Sequence, residues 1–131
     1  MIIRHWSCRL LDYTLTRSFA NDSISSGLGI GTTPSALVAH GIHTTIVEID
    51  PVVHEYATKY FNLPSNQTSI IEDAVSFVER AQTGESQRPS YHYIIHDVFT
   101  GGAEPVELFT EEFLKGLSNM LVSDGVIAIV S

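Results

Sequence analysis

Hydrophobic positions in this chain come in short β-branched runs, separated by stretches whose apolar residues recur at helical spacing. Thr44–Ile49 ("TTIVEI") reads as a buried strand. Asp50 then suits a helix cap and Pro51 a first helical position. Val53, Tyr56, Ala57, Tyr60 and Phe61 give that helix an apolar stripe expected to lie in the core. Thr68–Ile71 reads as a short strand, and Ala74–Ala81 as a helix with Ala74, Val78 and Ala81 on one side and Phe77 beside them. Tyr91–His96 is the next strand, with Asp97 at its carboxyl end. Glu107–Leu121 follows as a helix burying Leu117, Met120 and Leu121. A turn at Ser123-Asp124-Gly125 leads into the apolar strand Val126–Val130. Earlier in the chain, Pro34–His40 reads as a short helix of small residues. "TGESQRPS" and "TGGAEP" are polar loops. Strands alternating with helices predict an α/β fold on a parallel sheet.

The regularity starts at Gly27. In residues 1–26, Leu11, Tyr13 and Leu15 alternate with polar residues as in a half-exposed strand, and "ANDSISS" reads as a turn or loop. The expected organisation is therefore a leader over 1–26 and one nucleotide-binding core over 27–131. A strand feeding the Gly27 loop should be apolar on both faces, because parallel sheets are covered on both sides. "RSFANDSISS" does not supply that, so the first strand is expected to be missing or poor.

Composition narrows the class. The 131 residues are 44% hydrophobic and 17% charged, enough for one packed domain and too apolar for a disordered chain. A net charge of -8 argues against nucleic acid as a partner and suits a cationic small molecule or a basic protein. With Cys8 alone, neither an intrachain disulfide nor a Cys-x-x-Cys metal site can form. No stretch approaches the roughly 20 apolar residues of a membrane span, and the amino terminus lacks a signal-peptide run. A cytoplasmic protein without a membrane partner is the expectation.

The chemistry gathers at the carboxyl ends of the strands, where open α/β sheets bind ligands. Gly27, Gly29 and Gly31 allow the backbone to approach a ligand. Glu48, 21 residues beyond Gly27, is placed to accept both hydroxyls of a ribose. Glu72 with Asp73, and then Asp97, end the next two strands. Thr32 stands where the dinucleotide fingerprint needs glycine, so the tighter Gly-x-Gly-x-Gly favours an adenosyl-sulfonium cofactor over NAD.

From Gly27 onward the chain resembles the spermidine synthase family and its methyltransferase-like relatives. "VEIDP" (Val47–Pro51) is similar to the family's second-strand motif, which makes Glu48 the ribose acid. "IIEDAVSFV" (Ile70–Val78) resembles the adenine site, implying Asp73 and Ala74 as cofactor contacts. "YHYIIHDVF" resembles the fourth strand, implying Asp97 as the catalytic acid. "ELFTEEFLKGL" and "DGVIAI" are similar to the helix after the active-site loop and to the fifth strand. The resemblance implies a Rossmann-like class I methyltransferase sheet, truncated after the fifth strand. It also implies S-adenosylmethionine, or its decarboxylated form, as cofactor. Aminopropyltransferases carry aspartates where this chain has Ile30 and Thr100. Losing such charge-assisted bonds, about 1.5–3 kcal/mol each, disfavours polyamine synthesis. "GLGIGTTPS" is closer to relatives that methylate proteins.

The expected function is therefore an S-adenosylmethionine-binding transferase, with methyl transfer to an amine or a basic protein. The alternatives are polyamine aminopropyl transfer, or an inactive interaction domain that pairs through exposed sheet edges, as a homo-oligomer for example. His40, His43, His92 and His96 are expected to be ordinary strand and turn residues and not metal ligands, with His96 able to adjust the protonation of Asp97. Glu104, Glu107 and Glu111 suit either a steering patch or a solvated helix start.

Overall fold

The computed structural model describes residues 22–84, 90–98 and 105–130. The Leu11–Leu15 alternation and Cys8 lie outside them. The elements are β1 (Asp22–Ser26), α1 (Thr32–Ala39), β2 (His43–Glu48), α2 (Pro51–Tyr60) and β3 (Thr68–Ile71). They continue with α3 (Ala74–Thr83), β4 (Tyr91–Asp97), a 3-10 turn (Val106–Phe109), α4 (Glu111–Asn119) and β5 (Leu121–Val130). All strand pairs are parallel, in the order β3-β2-β1-β4-β5. The chain builds outward from β1 to β3, then crosses to β4 and β5. The order therefore reverses beside β1, the switch point at which open sheets form a crevice.

Alternation along the strands sorts the core into two layers, since successive side chains point to opposite faces. Ile24, Val47, Ile94 and Ile127 face Phe77 and Val78 of α3 and Phe113 and Leu117 of α4. On the other face, Tyr93, Ile95 and Ala128 pack with Leu37, while Ile46 packs with Ala57 and Leu63. The sheet is thus covered on both sides, as the strand–helix alternation predicted.

Three sequence expectations are corrected. "DSISS" is no loop: Asp22–Ser26 is the central strand, paired with β2 and β4. Its serines are buried because each finds a partner, so they leave no unpaired hydroxyl in the core. Ser23 Oγ donates to Thr44 Oγ1 at 3.0 Å, Ser25 Oγ donates to the Gly27 carbonyl at 3.0 Å, and Ser26 Oγ lies 3.3 Å from His96 Nδ1.

Second, the aromatic stripe of α2 is not core. Tyr56, Tyr60 and Phe61 are 52%, 60% and 50% exposed, and Ala57 is the helix residue that is fully buried. An apolar stripe identifies a helix face, but nothing among the described residues lies over this one. Third, the Glu107–Leu121 helix is divided. Thr110 interrupts it and caps α4, accepting from Phe113 N–H at 3.2 Å, and Leu121 already belongs to β5 opposite Tyr91. Ser123 and Asp124 stay exposed, where β5 shifts register between its pairings with Tyr91 and Tyr93. In the sheet so described, β3 and β5 are the open edges.

Candidate functional site

At the carboxyl ends of β1, β2, β3 and β4 lies a cleft of about 770 Å³, within the usual size of small-ligand sites. The loop after β1 forms its floor. Gly27 N–H donates to the Val47 carbonyl at 3.0 Å, and Gly31 N–H closes a turn onto the Leu28 carbonyl at 2.9 Å. Gly27 sits at φ +90, and a Cβ there would come within 2.0 Å of the Asp97 carbonyl oxygen. The absent side chain is what lets the glycine loop lie directly against the end of β4. Gly29 and Gly31 also have positive φ, and Gly31 precedes α1 as its cap.

Glu48 ends β2 almost fully buried, at 8% exposure. Its Oε2 accepts from Leu28 N–H and its Oε1 from Asp50 N–H, both at 2.9 Å. The carboxylate thereby ties the glycine loop to the start of α2. A carboxylate offers about four acceptor positions, so one on each oxygen remains for a vicinal diol. Asp50 has a different task. Its Oδ1 accepts from Val52 N–H at 2.8 Å and caps α2. Asp50→Asn keeps that bond, and melting temperature and ligand affinity should both stay close to wild type, a change of at most a few tenths of a kcal/mol. Thermal melts of the two proteins check this.

The next two acids divide in the same way. Glu72 is engaged by Arg80 at 2.6 Å. Asp73 caps α3, with Oδ2 accepting from the Ser76 N–H and hydroxyl at 2.9 and 3.1 Å. Among the described residues its Oδ1 makes no hydrogen bond, and Asp73, Ala74 and Val75 line the cleft beside Ile49 and Val53. Asp97 lies across the cleft, with Val98, Pro105, Glu107 and Leu108 completing that wall. Burial alone pushes its carboxyl above the ordinary carboxylate value.

All seven residues expected at the site, Gly27, Gly29, Gly31, Glu48, Asp73, Ala74 and Asp97, fall in this region, and six of them line the cleft directly. Gly31 is the exception. It shapes the turn without bordering the cavity. The sequence reading missed Leu28, whose amide Glu48 holds, and Ser26, Pro105 and Leu108. None of these carries a chemical signature, although the Gly-Leu-Gly spacing does place Leu28 inside the loop. His96 and Asp97 lie on opposite faces of β4. Burial, and not a neighbouring charge, is the cause that raises the Asp97 carboxyl. Among the described residues no group of three or more His, Cys, Asp or Glu could hold a metal ion. No helix there is long and apolar enough to cross a membrane.

The mainly apolar cleft, the diol-ready Glu48 and the free Asp73 oxygen fit an adenosyl group. Together with the β3-β2-β1-β4-β5 order they define a Rossmann-like fold of the class I methyltransferase type. Residues 25–131 match the spermine/spermidine synthase domain, and the chain belongs to that family. The chain is 64% identical over 109 residues to an N-terminal histidine N-methyltransferase of Emericella nidulans, covering 83% of this chain and 19% of that protein. A polyamine aminopropyltransferase of Vibrio vulnificus is 40% identical over 105 residues, covering 77% of this chain and 34% of that one. The chain thus spans about a fifth and a third of these curated relatives. Human methyltransferase-like protein 13, solved in complex with SAH, superposes with a TM-score of 0.79 at 24% identity, covering 90% of this chain and 60% of that one.

Proposed function

We propose that this domain binds S-adenosylmethionine and directs methyl transfer to a basic acceptor, the amino-terminal histidine of a protein. The observation that carries the cofactor reading is Glu48, a buried acid facing the cleft and held by the amides on either side of it. The acceptor follows from the 64% identity to the Emericella nidulans methyltransferase. When bound, the cofactor supplies an activated methyl group on a positively charged sulfur. Glu48 would hold the ribose diol, Asp73 the adenine amino group, and the Gly27–Gly29 backbone would border the remainder.

Ile30 favours methyl over aminopropyl transfer. It lines the cleft mouth at 56% exposure and offers no charge to the free ammonium of a decarboxylated cofactor. Asp97, partly buried on the opposite wall, would accept a hydrogen bond from the acceptor's ring N–H and so orient the other nitrogen for attack.

Calorimetry with S-adenosylmethionine, S-adenosylhomocysteine and decarboxylated S-adenosylmethionine tests the donor. Mass spectrometry of a peptide beginning with histidine tests the acceptor. The carboxylated forms should bind more tightly than the decarboxylated one, and the peptide should gain one methyl group. Tighter binding of the decarboxylated form, with spermidine made from putrescine, would favour the aminopropyl reading. Absence of binding by folded protein would favour an interaction domain. Asp97→Asn should lower kcat about a hundredfold or more while leaving S-adenosylhomocysteine affinity within a few-fold. A mutant as active as wild type would remove Asp97 from the chemistry.

A further inference from the structure

His96 is completely buried one residue before Asp97, on the opposite face of β4. Its Nδ1 lies 3.3 Å from the Ser26 hydroxyl at the end of β1. Its ring packs against Phe109 of the 3-10 turn at 5.2 Å and Phe113 of α4 at 5.3 Å between centroids. Among the described residues its Nε2 has no hydrogen-bond partner. Three parts of the cleft therefore meet on one imidazole: the strand that launches the glycine loop, the strand that carries Asp97, and the turn that supplies the Glu107–Leu108 wall. A phenylalanine or leucine would fill the volume more cheaply, since an unpaired buried polar atom carries a desolvation cost.

We propose that His96 is a positioning residue, whose neutral ring pins the 3-10 turn and the Ser26 end of β1 to the Asp97 strand and thereby sets the acceptor wall of the cleft. The acceptor role rests on the transferase reading above, whereas the pinning does not.

Protonation would place a charge against Phe109 and Phe113 with no carboxylate among the described residues to receive it. Glu107 on the turn and Glu111 and Glu112 on α4 are exposed, and Asp97 turns to the other face. Desolvation holds the imidazole below its ordinary 6.5, only partly offset by the nearby Leu108 backbone. The unfolded chain therefore takes up the proton first. The contribution to stability is complete above about pH 6.5 and declines as pH falls toward the lowered folded value. The wall should loosen once pH falls to that lowered value and the folded ring takes up its proton.

The test is nuclear magnetic resonance of the full chain between about pH 8 and about pH 5, following the imidazole and the Leu108 methyl groups. The His96 ring should stay neutral below its ordinary value of 6.5, and the Leu108 signals should move as it titrates. Titration of His96 at or above 6.5, or Leu108 signals indifferent to it, would overturn the proposal. His96→Phe keeps the ring packing but neither titrates nor contacts Ser26. Its Leu108 signals should lose their pH dependence, and its KM for the histidine peptide should rise about tenfold with S-adenosylhomocysteine affinity little changed. His96→Asn, which restores an acceptor near Ser26, should recover part of that KM. A rise confined to cofactor affinity, or no recovery in His96→Asn, would count against the pin. Failure of S-adenosylhomocysteine to bind wild type would defeat the cofactor reading alone, because the resonance experiment needs no ligand.

Discussion

Gly27→Ala should abolish cofactor binding and lower the melting temperature by about 10 °C or more. Two costs combine at this position. The backbone stands at φ +90, where a side chain adds about 1–3 kcal/mol of strain. The new methyl would also meet the Asp97 carbonyl at 2.0 Å, a backbone atom that can retreat only by separating β1 from β4. Overpacking of that kind adds about 1–3 kcal/mol and displaces the residue on which the chemistry depends. Gly29→Ala is the control. It has φ +53 with nothing within 4 Å of the added carbon, so only the conformational cost of about 1–2 kcal/mol applies. Thermal melts and S-adenosylhomocysteine calorimetry on the two variants should separate them clearly. Equal effects would mean that the contact between Gly27 and Asp97 does not govern the cleft.

Glu48→Gln should weaken S-adenosylmethionine at least tenfold and also destabilise the fold, by about 1–3 kcal/mol. A residue at a strand mouth is expected from its position alone to matter for ligand and not for folding. The structure alters that expectation. Glutamine presents one carboxamide oxygen where Leu28 N–H and Asp50 N–H each require an acceptor, so one amide must lose its partner. The ribose loses a charged acceptor at the same time, which corresponds to roughly a ten- to hundredfold loss of affinity. Measuring stability and affinity on the same variant distinguishes the two roles. A loss of affinity with unchanged melting would assign Glu48 to the ligand alone. A loss of melting temperature with unchanged affinity would make it a structural clamp.

Much of this arrangement is written locally. Val47 and Ile94 alternate with Ile46 and Ile95, and so the two faces of the sheet are readable from period alone. Asp50 and Asp73 announce their helices because a cap acts on amides two or three residues away. Gly27, Gly29 and Gly31, followed by an acid at Glu48, mark the cleft for a similar reason. Their positive φ values and the strand-end acid are consequences of short stretches of chain.

What the sequence left open depends on partners far along the chain. Ser23 and Ser26 read as loop residues until Thr44 and His96 reach them, 21 and 70 positions away, and satisfy their hydroxyls. The same serines without those neighbours would be too costly to bury. Tyr56 and Tyr60 show the converse. Helical period groups them on one face, but only the placement of β3 at the sheet edge decides that nothing described covers it. Periodicity assigns a side chain to a side. Whether that side is core, cleft or surface is decided by which distant segments pack against it, and here the sheet order brought Ser26 of β1 against His96 of β4.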